Sequence, residues 1–90
     1  MNDGKRKVAT ALKYDRTVGQ APTVVAKGLG LIAEKIIESA EKGDVQVYKD
    51  ETLAKQLYNL SIGEEIPEEL YTTVAEVLAF IAKLDKLRKK

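Results

Sequence analysis

Residues 22–48 read PTVVAKGLGLIAEKIIESAEKGDVQVY, with two short apolar runs on either side of a helical pattern. The first run, residues 22–26, predicts a strand in which Pro22 takes the first position, where the loss of a backbone donor matters least. The second run, residues 45–48, predicts another strand. A strand, a helix and a strand in this order predict one right-handed crossover between parallel strands.

The helix between these runs is predicted by apolar residues that recur at steps of three and four, with charged residues on the opposite face. Gly43 follows the pattern and suits the left-handed conformation that commonly ends a helix. The apolar positions are Leu29, Ile32, Ala33, Ile36, Ile37 and Ala40.

Outside this stretch, the alternation in residues 8–14 predicts a first strand. Asp50 is a suitable cap for a helix over residues 51–59. Pro67 suits the first position of a last helix that continues past residue 84. The expected fold is therefore α/β: a small mixed three-stranded sheet covered by about three helices, with one β-α-β crossover.

Composition excludes several classes of function. The chain of 90 residues has no Cys and no His, which removes thiolate and imidazole metal ligands and the commonest general base. Lys and Arg total 15 against 14 Asp and Glu, so there is no strong overall field for nucleic acid. We expect no enzyme activity, no metal and no cofactor. With no apolar run long enough to span a membrane, we expect a soluble cytoplasmic protein.

Charge is distributed unevenly along the chain. Residues 8–82 contain 7 basic and 12 acidic residues, whereas both ends are basic. Basic ends on an acidic body suit either solvated tails or docking on acidic lipid or an acidic partner. We expect a polar basic tail over residues 1–7, one domain over residues 8–84, and a basic helix end or tail over residues 85–90.

The segment from Gly28 to Ala33 fits the G-x-G-x-x-A pattern of dinucleotide-binding turns, in which helix N–H groups receive a pyrophosphate. A nucleotide- or nucleic-acid-binding regulator that uses Gly28, Gly30 and the basic ends is therefore the alternative function. Against it, the chain has one crossover and not the two halves of a dinucleotide-binding domain. The simpler interpretation is a tight strand-to-helix turn.

A series of segments in order resembles the cytoplasmic domain of the FlhB family, the substrate-specificity switch of flagellar and virulence type III export systems. The resemblance covers nearly all of residues 8–84. The matching segments are VATALKYD at 8–15, APTVVAKG at 21–28, Leu53-Ala54, Leu57-Tyr58, Ile62-Gly63, Ile66-Pro67, Glu69-Leu70-Tyr71 and VAEVLA at 74–79.

The chain departs from the family at the self-cleavage motif. Family members carry Asn-Pro-Thr-His just before the first strand, which falls here on Gly4-Lys5-Arg6-Lys7. No asparagine stands there to attack its own backbone, so we expect no self-cleavage. The family's membrane portion is also absent from this sequence, and we expect the strand that precedes the cleavage loop to be missing.

The resemblance implies a partner-binding pocket and its partners. The family binds a short hydrophobic signal of early export substrates in a shallow apolar pocket, which maps onto Ala21, Pro22, Ala75 and Leu78. The implied partners are early rod- and hook-type flagellar export substrates and export-gate proteins, with no nucleic acid. The chain is expected not to be embedded in the membrane, although it would work near the export gate. The other interpretation is that these four residues only pack in the core or form ordinary surface.

Overall fold

The computed structural model describes residues 7–15, 17, 19 and 21–88. Two strands, β1 (Val8–Lys13) and β2 (Thr23–Leu29), are followed by helices α1 (Gly30–Lys42) and α2 (Glu51–Tyr58). A short 3₁₀ turn, Glu68–Leu70, leads directly into the last helix, α3 (Tyr71–Arg88). The predicted α/β class with three helices and a small sheet is confirmed, and α3 continues past residue 84 as expected.

The sheet is a two-stranded antiparallel pair, β1 with β2. Val8 lies opposite Leu29 and Lys13 lies opposite Thr23, and Val25 bulges out between the partners of Ala11 and Leu12. A bulge of this kind bends the strand and strengthens its twist. The bulge leaves Val25 46% exposed, while its neighbour Val24 is completely buried.

The two faces of the sheet pack against different helices. Ala9 and Gly28 form a pair that is buried on the α1 side, where Gly28 lies against Ile32. The next pair, Thr10 and Lys27, must point to the opposite face because side chains alternate along a strand. Both reach α2 there through hydrogen bonds to its backbone. The sheet therefore lies between α1 and α2.

The predicted third strand at residues 45–48 is wrong, since this segment has no regular secondary structure. Consequently the described part of the chain contains no parallel β-α-β crossover. A different segment lies along the start of β2: Gly63 N–H donates to the Val24 carbonyl (2.7 Å), and Val24 N–H donates to the Glu64 carbonyl (3.0 Å). Since these bonds already occupy the backbone groups of Val24, the edge at this point is not available to residues 45–48.

Two residues of the segment 45–48 contact α3. The Tyr48 ring lies edge-on to the Phe80 ring at a centroid distance of 5.8 Å. Gln46 Nε2 donates to Asp85 Oδ1 at 3.0 Å. The alternation of the two valines suggested a strand, but Val45 is 61% exposed, so it does not provide the buried face that a strand needs.

The helix ends confirm one prediction and correct another. Asp50 caps α2 as predicted, because its Oδ1 accepts from Leu53 N–H at 3.1 Å. Gly43 was expected to be left-handed, but its φ is −90° and the left-handed residue is Asp44, with φ 62°. Val45 N–H donates to the Ala40 carbonyl at 2.7 Å, which closes a Schellman-type end one residue later than predicted.

The main core forms where α2, α3 and the segment before the 3₁₀ turn meet the sheet. Leu53, Leu57, Ile66 and Val74 make up the buried cluster, and Leu12, Ala21, Leu60, Leu70, Val77 and Leu78 pack around it. Among the described residues, none of the helices combines the length and apolar character needed to cross a membrane.

Candidate docking site

Ala21 and Pro22 lie immediately before β2, and both side-chain packing and a backbone hydrogen bond attach them to the core. Pro22 is buried, and its carbonyl accepts from Ile66 N–H at 3.0 Å. Ala21 is half-buried and packs against the core cluster that contains Ile66. The Ala-Pro pair is therefore rigidly placed, with the methyl group of Ala21 at the boundary between core and surface.

Ala75 and Leu78 lie one turn apart on α3, so they share a side of the helix. Val74, which is only 2% exposed, anchors this part of α3 in the core cluster. Leu78 is half-buried against the same cluster, whereas Ala75 is exposed. Tyr71 stands one turn before Ala75 and is 45% exposed, which extends the apolar side of the helix toward its start.

The structure thus places the four predicted residues in three environments. Ala21 and Leu78 come from distant parts of the sequence and are brought together on one core cluster. Pro22 is buried, and Ala75 is the exposed member of the set. The pocket itself stays a prediction.

Lys27 has a structural role that sequence reasoning did not find. Its Nζ donates to the carbonyls of Tyr58 (3.0 Å) and Leu60 (2.7 Å), at the end of α2. The same ammonium lies 4.9 Å from the centroid of the Tyr58 ring. A cation at this position satisfies two carbonyl groups at the negative end of a helix. The only local signal was a lysine in an otherwise apolar strand.

The glycine-rich turn has a structural explanation. Gly30 opens α1 with φ 56°, a conformation that other residues rarely adopt, and its N–H already donates to the Lys7 carbonyl at 2.9 Å. At Gly28 a β-carbon would collide with the Ile32 side chain. Both glycines are therefore needed for the direct passage from β2 into α1. Nothing in this arrangement favours a nucleotide.

No catalytic constellation is found in the described part of the chain. No group of three or more Asp and Glu side chains there is arranged to hold a metal ion. At the cleavage-motif positions 4–7 the sequence has no asparagine. Residues 1–6 lie outside the described part of the chain. The expectation that residues 1–7 form no strand can therefore be examined only at Lys7. Lys7 itself has no regular secondary structure.

Comparison with known sequences gives matches over most of the chain. The model of the FlhB HrpN YscU SpaS family matches residues 6–81. The protein YlqH of Bacillus subtilis is 45% identical over 78 residues, which cover 87% of this chain and 84% of YlqH. The flagellar biosynthetic protein FlhB of Aquifex aeolicus is 44% identical over 75 residues, 82% of this chain. The match covers only 21% of that FlhB.

Solved structures give the same result for the fold. The C-terminal domain of a mutated EscU superimposes with a TM-score of 0.78 at 32% sequence identity. The superposition covers 83% of this chain and 92% of the EscU domain. The family match over most of the sequence and the agreement in fold lead to one conclusion: the chain belongs to the FlhB HrpN YscU SpaS family of type III export switch proteins and has the fold of their C-terminal domain.

Proposed function

We propose that this chain is a noncatalytic protein-interaction module of the flagellar type III protein export apparatus. It would dock export substrates of the early rod and hook type, or export-gate proteins, on the cytoplasmic side of the membrane. Its relatives include proteins named flagellar biosynthetic protein FlhB, although the chain spans only about a fifth of their length.

One observation carries the proposal: Ala21 and Leu78 pack on the same core cluster, and Leu78 shares one side of α3 with the exposed Ala75 and the half-exposed Tyr71. An apolar side chain of a partner could bury itself against such a surface without displacing a bulky residue. The core cluster beneath would keep the surface in shape before binding, which reduces the ordering cost of association.

The proposal implies that the chain remains uncleaved. Self-cleavage in this family needs an asparagine before the first strand, and the sequence has Gly4-Lys5-Arg6-Lys7 there. The module would therefore present its surface without the step by which its relatives cut their own chain. Mass spectrometry of the stored protein checks this point, because fragments that end within residues 4–7 would contradict it.

The direct test of docking is an NMR titration of the isotope-labelled chain with early rod- and hook-type export substrates. We expect shifts centred on Ala21, Ala75 and Leu78. The blocking variant is Ala75→Glu, since position 75 is exposed and a carboxylate there should not disturb the core. A desolvated charge facing an apolar partner should weaken binding at least ten-fold.

Thr73→Glu is the matched control. Thr73 is also exposed on α3 but lies two residues earlier, on nearly the opposite side of the helix. The control should bind like the unmodified chain. The proposed docking role is wrong if the substrates cause no shifts while the spectrum stays that of a folded protein. It is also wrong if both variants bind equally well. In either case these residues serve only the packing of the fold.

A further inference from the structure

The last turns of α3 expose large apolar side chains among lysines. Phe80 is 50% exposed and Leu87 is 71% exposed. Positions 80, 83 and 87 follow the spacing that places residues on one side of a helix. Lys83 and Lys86 are both exposed here. Phe80, Lys83 and Leu87 therefore share one side of the helix, and Lys86 lies next to that side.

The apolar area continues beyond the helix. Tyr48 contacts the Phe80 ring edge-on and is itself 44% exposed, and Val45 in the same segment is 61% exposed. The hydrogen bond from Gln46 to Asp85 holds this segment against α3. We call the resulting surface the terminal patch; its members are Tyr48, Phe80, Lys83, Lys86 and Leu87.

Basic residues are concentrated at the same end of the chain. From residue 83 onward the sequence has five basic residues and one Asp, whereas residues 8–82 have 7 basic against 12 acidic residues. Lysines near a helix C-terminus also stabilise the helix by interacting with its dipole, and this effect explains the presence of the charges. It does not explain why Phe80 and Leu87 are exposed beside them, since clustered exposed apolar side chains usually mark an interaction surface.

We propose that the terminal patch binds the surface of a bilayer that contains anionic lipids. The sequence has five basic residues from position 83 onward, and clusters of four to eight Lys and Arg are typical of segments that bind acidic lipid headgroups. Phenylalanine, leucine and tyrosine supply the side chains that enter the boundary between headgroups and acyl chains. The proposal does not depend on docking of export substrates at Ala75 and Leu78.

The test is co-sedimentation of the full chain with phosphatidylcholine vesicles that contain either no anionic lipid or about one third phosphatidylglycerol. We expect binding only to the anionic vesicles, and weaker binding at high salt. Each lysine near an anionic surface contributes about five-fold to partitioning, so Lys83→Gln/Lys86→Gln should weaken binding about 25-fold. Leu87→Ser should weaken it about ten-fold through lost apolar burial.

The matched control is Lys13→Gln/Lys35→Gln, which removes the same charge from exposed positions on β1 and α1. It should retain nearly all binding. The proposal is overturned if the unmodified chain ignores anionic vesicles, if neutral vesicles bind it equally, or if the control loses as much as the α3 variants. Retention on an acidic peptide such as polyglutamate, without any vesicle binding, would assign the patch to a protein partner and also overturn it.

Discussion

The lysine that joins the sheet to α2 provides the sharpest test of how this fold is held. Lys27→Met keeps an unbranched stem of similar length but removes the ammonium group that donates to the carbonyls of Tyr58 and Leu60. It also removes the contact with the Tyr58 ring. We expect a folded but clearly less stable protein.

The magnitude follows from the contacts. A hydrogen bond to a charged group contributes about 1.5–3 kcal/mol. Both bonds of Lys27 are only partly buried, so water can reach the freed carbonyls and the lower end of that range applies. Two bonds at the lower end give a loss of about 3 kcal/mol in the free energy of unfolding. For a domain of this size, the loss corresponds to a fall in Tm of roughly 15 °C.

The assay is urea denaturation followed by circular dichroism, with Lys55→Met as the matched control. Lys55 pairs with Glu51 at 3.4 Å on the surface of α2, and its side chain is 58% exposed. Such a pair contributes less than about 0.5 kcal/mol. If the two variants lose equal stability at unchanged m-values, the role assigned to Lys27 is refuted.

Other substitutions test the turn, the cap and the core. Gly28→Ala should lower the free energy of unfolding by about 1–3 kcal/mol, because the added methyl group would meet the Ile32 side chain. In a double-mutant cycle, Gly28→Ala/Ile32→Ala should recover part of that loss because the Ile32 side chain is shortened. Asp50→Ala should cost about 1 kcal/mol through loss of the α2 cap, measured as a shift of the urea midpoint. Leu57→Ala should lower the free energy of unfolding by about 2–5 kcal/mol, measured by thermal unfolding, because Leu57 is buried. Leu87 is exposed, so Leu87→Ala should change stability by less than about 0.5 kcal/mol. Equal effects of the two substitutions would contradict this difference in burial.

Local signals in the sequence were sufficient for much of the fold. The alternation after Lys7, the three- and four-residue spacing after Leu29 and the cap at Asp50 all predict the elements that the structure contains, within a few residues. Each of these signals depends on neighbours along the chain. The direct turn at Gly28 and Gly30 was also predictable as a structural alternative to a phosphate-binding loop.

What could not be predicted depends on contacts between distant residues. Residues 45–48 have the alternation of a strand, but residues 63–66 take the hydrogen bonds at the start of β2. Lys27 finds its partners more than 30 residues away. The candidate site was named only through the family resemblance, because nothing in the spacing of Ala21 and Leu78 indicates that they pack on one cluster.

The uneven attachment of α3 has a consequence for local opening. Near Val74 the helix is fixed in the core, so amide hydrogens there should exchange with solvent only when the domain unfolds. Near Phe80 and Asp85, a ring contact and a side-chain hydrogen bond join the helix to the irregular segment 45–48, and these turns should open at a much lower free energy. The first half of α3, which contains Ala75 and Leu78, would thus exchange its amide hydrogens slowly. The second half would open more easily and could change its conformation on binding.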